Sequence, residues 1–252
     1  MCLAVFALDV HPRFAVVIIA NRDEFHARPT EAAAWWPEGI LAGRDLRAGG
    51  TWLGIHRNGR FALLTNVRNP ARHDPSRASR GALVASVLGD PPSVDGALER
   101  AAADAERYNG FNLLAGDARE ASWLSNQPSA MRRLPAGIYG LSNAQLDVPW
   151  PKLTRSRDVL AQWIAQGDVD PEPLFTALAD RTLAADHELP STGVTLARER
   201  QLSAAFIVGT DYGTRSSTLI TIDRSGHVDF VERSFDASAV LAGEHAYRFT
   251  LG

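Results

Sequence analysis

Residues 14–20 read Phe-Ala-Val-Val-Ile-Ile-Ala, without a single polar side chain. Four consecutive β-branched residues favour an extended strand. A strand with no polar face must be covered on both sides. Whatever this chain folds into therefore holds a sheet interior close to its start. The preceding run, residues 2–8, is also apolar, and the link Asp9 to Arg13 is short enough to close a hairpin.

The same reasoning extends along the chain. A second hairpin covers residues 51–55 and 60–67, turned by His56-Arg57-Asn58-Gly59, and Asn-Gly is a strong turn signal. Residues 80–88 and 94–108 have helical spacing. In the second, Leu98 and the alanines share a face, with Asp95, Glu99 and Arg100 on others. Strands are predicted at 111–115, 121–125 and 138–141, and helices at 151–166, with Pro151 in the first turn, and at 171–180. The polar stretch 186–199 reads as loop. Strands at 204–208, 217–222, 228–234 and 247–251 close the chain. Hairpins at both ends with helices between them argue for sheets covered by helices, in the α+β class. No repeat or linker divides residues 1–252, so a single domain is expected.

Several functions are disfavoured. A net charge of −3 predicts neither nucleic-acid nor anionic-membrane binding. The early apolar runs are too short for a transmembrane segment, and Asp9, His11 and Arg13 break any signal-peptide layout. With one cysteine there is no internal disulfide, and the cytoplasm is the expected location. The absence of HExxH, CxxC and CxxCH disfavours a protein-bound metal and excludes covalently attached haem of the CxxCH type. No Gly-rich phosphate loop, dinucleotide fingerprint or G-x-S-x-G is present. Lys152 is the only lysine among 26 basic residues, a bias that points to GC-rich, bacterial coding. Nothing fixes an oligomeric state or requires a cofactor.

That one cysteine is Cys2. So small a residue at position 2 directs removal of Met1, which would place a thiol and a free α-amine on one residue. The amine, with a pKa of about 8, can serve as base, and the thiol, at about 8.5, needs little help to ionise. Nucleophile and base on one N-terminal residue suit acyl chemistry. From position alone, a small apolar residue opening a strand is the simpler reading.

Four polar patches lie at predicted strand ends. Asn21-Arg22-Asp23-Glu24 follows the buried run and falls near Cys2 if the first two strands pair. Asp23 would then hold the α-ammonium, and Arg22 would orient Asp23 or bind an anion. Asn66 ends the second hairpin, and its amide can donate to an oxyanion. Asn143 ends Tyr139-Gly140-Leu141-Ser142-Asn143. Arg215 sits among hydroxyls in Asp211-Tyr212-Gly213-Thr214-Arg215-Ser216-Ser217-Thr218, read as a loop. Each patch also has a plain reading as turn or solvated strand end.

Together these patches resemble the NRDE family, also called the transport-and-Golgi-organisation-two family. The resemblance rests on Met1-Cys2, Asn21-Arg22-Asp23-Glu24 and Gly49-Gly50-Thr51-Trp52-Leu53-Gly54. It continues in Asn109-Gly110-Phe111-Asn112-Leu113-Leu114, Tyr139 to Asn143, Pro149-Trp150-Pro151-Lys152 and Tyr212 to Ser217. More remotely, the chain is similar to cysteine N-terminal-nucleophile hydrolases such as bile-salt hydrolases and penicillin V acylases. In those, an Arg precedes the Asp by three residues; here that position is Ala20 and the arginine is Arg22.

The resemblance implies a four-layer αββα sandwich and a catalytic set of Cys2, Arg22, Asp23, Asn66, Asn143 and Arg215, with the Val67 N–H as a further oxyanion donor. Asn21, Glu24, Trp52 and Arg68 are expected to contact the ligand. Two functions fit: hydrolysis of an amide or thioester of a small acyl substrate, or binding and trafficking of haem, acyl-CoA or lipid without chemistry. In the second, Trp35, Trp36 and Trp52 would line an apolar cleft, and Arg22, Arg68 or Arg215 would hold propionate or phosphate groups.

Overall fold

The two opening runs pair as β1 (Cys2–Leu8) and β2 (Phe14–Phe25), antiparallel, with Leu8 opposite Val16 and Cys2 opposite Arg22. The computed structural model describes residues 2–89 and 93–252, residue 2 by its backbone alone. Next come β3 (Thr30–Trp35), β4 (Ile40–Asp45), β5 (Leu53–His56), β6 (Phe61–Asn66), β7 (Phe111–Gly116), β8 (Ala121–Asn126) and β9 (Ser129–Leu134). They form a seven-stranded antiparallel sheet in sequence order. The chain then returns to its first hairpin. β10 (Gly137–Leu141) joins β1, β11 (Tyr212–Asp223) joins β2, and β12 (His227–Phe235) and β13 (Leu241–Thr250) extend the sheet to six strands.

Alternation along the strands creates three apolar layers. Phe6, Ile18, Ile220 and Phe230 of the six-stranded sheet meet Leu41, Ile55, Phe61, Leu63 and Leu114 of the seven-stranded one. On the outer face of the first sheet, Val5, Val17, Ile19 and Leu219 pack under α3 (Pro151–Ala165) and α4 (Glu172–Leu178), through Leu160, Trp163, Leu174 and Leu178. On the outer face of the second, Ala62, Leu64 and Leu113 pack under α1 (Gly81–Gly89) and α2 (Val94–Ala103), through Val84, Leu88 and Leu98. Each large side chain so buried contributes about 1.5–3 kcal/mol. The four layers are αββα, as the resemblance implied. Residues 14–20 need cover on both faces because their strand lies between helices and the other sheet. Among the described residues, no helix is long and apolar enough to cross a membrane.

Several elements depart from the sequence reading. β3, β4 and β9 are additional strands, and α5 (Leu196–Gln201) begins inside the expected loop and runs two residues past it. β2 runs five residues past Ala20. Residues 204–207 are buried and Val208 is exposed, and none of them forms a strand. Their backbone groups are taken instead by Asp180 and Thr214: Phe206 N–H donates to the Asp180 carbonyl at 2.8 Å, and Ile207 N–H donates to Thr214 Oγ1 at 2.8 Å.

A carboxylate clasps the two sheets. The β3–β4 register shifts between Glu31 and Ala34, and the Ala33 peptide turns to the opposite sheet. Ala33 N–H donates to Glu232 Oε1 at 2.7 Å, and its carbonyl accepts from the Tyr247 hydroxyl at 2.8 Å. Burial pushes the Glu232 carboxyl up to about 7, against the Ala33 hydrogen bond and the nearby Arg22 charge. The folded state thus holds a proton that the unfolded chain releases near pH 4.5. The stabilisation is full below that pH and is lost as pH rises through 7. Glu232→Gln keeps an acceptor for Ala33 and removes the titration. At pH 8 it should be more stable than the parent by up to about 3 kcal/mol, with little gain at pH 5. Denaturant midpoints at the two pH values test this; parallel pH profiles would contradict it.

Candidate functional site

The tail of β2 sends successive side chains to opposite layers. Asn21 faces the helices and is fully engaged. Its Nδ2 donates to the carbonyls of Leu178 and Ala205, both at 2.8 Å, and its Oδ1 accepts from Ser217 Oγ at 2.6 Å. It ties α4 and residue 205 to the sheet. It serves the scaffold rather than the ligand contact that the resemblance implied, because it is buried toward the helices and does not line the cleft.

Asp23, two positions on, is 1 % exposed. Its Oδ1 accepts from Thr214 Oγ1 at 2.7 Å, and its carbonyl accepts from the Tyr212 hydroxyl at 3.0 Å. Burial pushes its carboxyl above the usual carboxylate range; the Lys152 ammonium and the Thr214 hydroxyl pull it back. Lys152, the lone lysine, is 1 % exposed in the first turn of α3. Its rarity was the sequence signal for a role that the candidate site residues did not include.

Arg22 faces the inter-sheet layer. Its guanidinium lies 4.2 Å from the Trp52 ring centroid, and Nη1 donates to Thr30 Oγ1 at 2.9 Å. Trp52 fits there because Gly43 has no side chain: a β-carbon at that position would run into the indole. The register sets Arg22 opposite Cys2, with Asp23 the next residue of β2. The Cys2 thiol itself lies outside the described residues.

A second cluster follows β6. Arg68 and Glu199, with side chains 5 and 4 % exposed, pair at 2.6 Å. Arg68 also donates through Nη2 to Asn143 Oδ1 at 3.4 Å, and its guanidinium lies 4.9 Å from the Trp150 ring. Asn143 Nδ2 donates to the Asn66 carbonyl at 2.9 Å, and Arg68 N–H donates to the Asn143 carbonyl at 2.8 Å. The Asn143 amide is therefore committed to holding the strand end. The Val67 N–H is committed too, donating to the Gly110 carbonyl at 3.0 Å. Of the three expected oxyanion donors, only Asn66 keeps its side-chain amide without a protein hydrogen bond among the described residues, and Asn66 lines the cleft.

Arg215 behaves differently from expectation. Residues 212–223 form one strand, not a loop, and the β2–β11 register shifts between Thr214 and Ser216. The extra residue of this bulge, Arg215, turns its Nη1 to the carbonyls of Phe25, His26 and Arg28, at 3.3, 3.2 and 3.4 Å. It braces the turn after β2, while its neighbour Thr214 supplies the hydrogen bond to Asp23.

These groups border a cleft of two contiguous lobes, about 470 and 610 Å³. Arg22, Asp23, Trp52 and Leu64 line the first; Arg68, Phe25 and Tyr212 line the second; Glu24 and Asn66 line both. Glu24 Oε1 accepts from the Phe25 N–H at 2.9 Å. Trp35 and Trp36 are not on the cleft. Trp35 packs edge-on against Phe249, and Trp36 donates to the Ala42 carbonyl at 3.1 Å. Glu199 carried no sequence signal, its partner Arg68 lying 131 residues away, and Thr214 stood in a quoted motif without its link to Asp23, 191 residues away.

Residues 1–237 match a family model described as Transport and Golgi organisation 2. The Transport and Golgi organization 2 homolog of Mus musculus is 33 % identical over 276 residues, covering 100 % of this chain and 99 % of that protein. The Bos taurus homolog is 35 % identical over 257 residues, covering 93 % of each. Among solved structures, a mutant of conjugated bile acid hydrolase from Clostridium perfringens superposes with a TM-score of 0.53 at 8 % identity, covering 100 % of this chain and 98 % of that one. A second variant of that enzyme gives 0.50 at 8 % identity, covering 98 and 97 %. At such identities the likeness is one of fold.

Proposed function

The chain belongs to the Transport and Golgi organisation 2 family, and we propose that it is an N-terminal-cysteine hydrolase cleaving an amide or thioester of a small acyl substrate. One observation carries the reading: the β1–β2 register sets Cys2 opposite Arg22, beside the buried Asp23, at the edge of a cleft.

Once Met1 is removed, the Cys2 thiol attacks the substrate carbonyl, forming the S–C bond, and its proton passes to the α-amine of the same residue. Asp23, kept in place by Thr214 and opposed by Lys152, holds the resulting ammonium. The Arg22 guanidinium favours the thiolate. The Asn66 amide donates to the oxyanion, a contribution of about 3 kcal/mol to the barrier. Collapse breaks the bond to the leaving amine or thiol, which takes the proton. Water then releases the acid and regenerates the thiol. Asn143 and Arg68 position Asn66 in this scheme, and Arg215 holds the turn after β2.

Non-catalytic carriage of haem or an acyl group is the second reading. The cleft arginines suit propionates or phosphates, but a porphyrin also needs apolar faces, and this lining is rich in arginine and carboxylate. A haem titration without a saturable Soret shift removes the haem version.

The test begins with the intact mass of untagged protein. A mass lacking one methionine is expected, followed by an acyl adduct on the single cysteine when amides and thioesters are screened. Full retention of Met1 removes the proposed base and overturns the mechanism.

A further inference from the structure

The cleft is strongly cationic on a chain whose formal net charge is −3. Eight arginines line its two lobes against three carboxylates. Two of the three carboxylates, Glu24 and Asp45, pair with the same guanidinium, Arg28, at 3.8 and 2.6 Å. Arg68 is matched by Glu199, which is not in the lining, and much of the remaining surplus lies along one wall, residues 72–80, and on Arg47 from the turn after β4.

That wall is built, not loose. Asn109 accepts from the Asp74 N–H at 2.8 Å and donates back to the Asp74 carbonyl at 2.7 Å. Ala78 N–H donates to the Arg107 carbonyl, and Ala78 bridges Tyr108 in parallel. Arg77 donates through Nη1 to the Tyr108 carbonyl at 2.8 Å, with Asp74 only at 3.8 Å and well exposed. A carbonyl anchor orients a guanidinium without neutralising it. Arg47 and Arg72 are exposed on the cleft and, among the described residues, neither side chain has a protein hydrogen bond or ion pair. Uncompensated guanidiniums on a braced scaffold match planar or tetrahedral oxyanions, and pre-ordering limits the entropy lost on binding.

We propose that Arg47, Arg72 and Arg77 form an anion subsite, which holds a multiply charged phosphate or carboxylate group on the end of the substrate remote from the scissile bond. The word substrate rests on the hydrolase reading; the anion site does not.

Calorimetric titration of the full chain with inorganic pyrophosphate and, separately, succinate tests it. Saturable binding of one or both is expected; tighter pyrophosphate binding assigns a phosphate ester, tighter succinate binding a dicarboxylate. Arg47→Gln/Arg72→Gln should weaken binding about tenfold or more. Arg132→Gln, the loss of one exposed arginine on β9 outside the cleft lining, should leave it unchanged. Matching melting temperatures without ligand show that the variants fold. No saturable binding, or equal weakening in Arg132→Gln, overturns the proposal. The same titration on Cys2→Ala separates the two readings, since anion binding should survive loss of the nucleophile.

Discussion

Cys2→Ala should lower turnover of any amide or thioester substrate by at least about a thousandfold, the usual cost of removing a covalent nucleophile. The melting temperature should barely move, because one small strand residue replaces another at the same backbone position. Two further readouts use the single cysteine. Alkylation by iodoacetamide must add one mass increment and abolish activity in step with labelling. Cys2→Ala must neither label nor form an acyl adduct. Undiminished turnover by that variant would sink the hydrolase reading. It would leave the anion subsite standing, because that rests on arginines which do not touch the β1–β2 register.

Glu199→Ala has the largest expected effect on stability. It removes the carboxylate that pairs with the Arg68 guanidinium, whose side chain is 5 % exposed. Breaking a buried ion pair from one side costs about 3–5 kcal/mol. For a chain of this length the melting temperature should fall on the order of 10 °C. Glu199 Oε1 also accepts from both the Thr192 N–H and hydroxyl, at 2.9 and 2.6 Å, so the approach to α5 loosens as well. Arg68→Met/Glu199→Leu removes both charges and should recover at least half the loss. A double variant as unstable as the single would show that packing, not the broken ion pair, sets the cost.

How much of this was legible in the sequence follows from the range of the interactions. The run Val16 to Ile19 announced a strand with two covered faces because alternation is local. Asn58-Gly59 announced the β5–β6 turn for the same reason. β3 escaped because Ala32, Ala33 and Ala34 have weak strand preference and the bulge breaks their alternation. The candidate site divides in the same way. The adjacency of Cys2 to Arg22 and Asp23 followed from one hairpin. The split between Asn21, which is consumed by the scaffold, and Asn66, which keeps its amide at the cleft, did not. The partners of Asn21 lie 157, 184 and 196 residues away. Glu232 was nearer to legible: Val228, Phe230 and Glu232 share a period-2 face, so an inward carboxylate could be counted from the strand alone.

The two sheets differ in how they are threaded. The seven-stranded sheet is finished by residue 134, each strand beside its neighbour in sequence, whereas the six-stranded sheet joins residues 2–8 to 137–141 and 14–25 to 212–223. On the ribosome, β3 to β9 with α1 and α2 can assemble while the opening hairpin still lacks β11, β12 and β13. At ordinary elongation speeds that delay is on the order of 10 s. Throughout it, Leu41, Ile55, Phe61 and Leu63 have only part of their opposing layer, without Ile220 and Phe230. The nascent chain therefore passes through a stage with a broad sticky face, and its yield in cells should depend on chaperone capacity more than the stability of the finished protein would suggest.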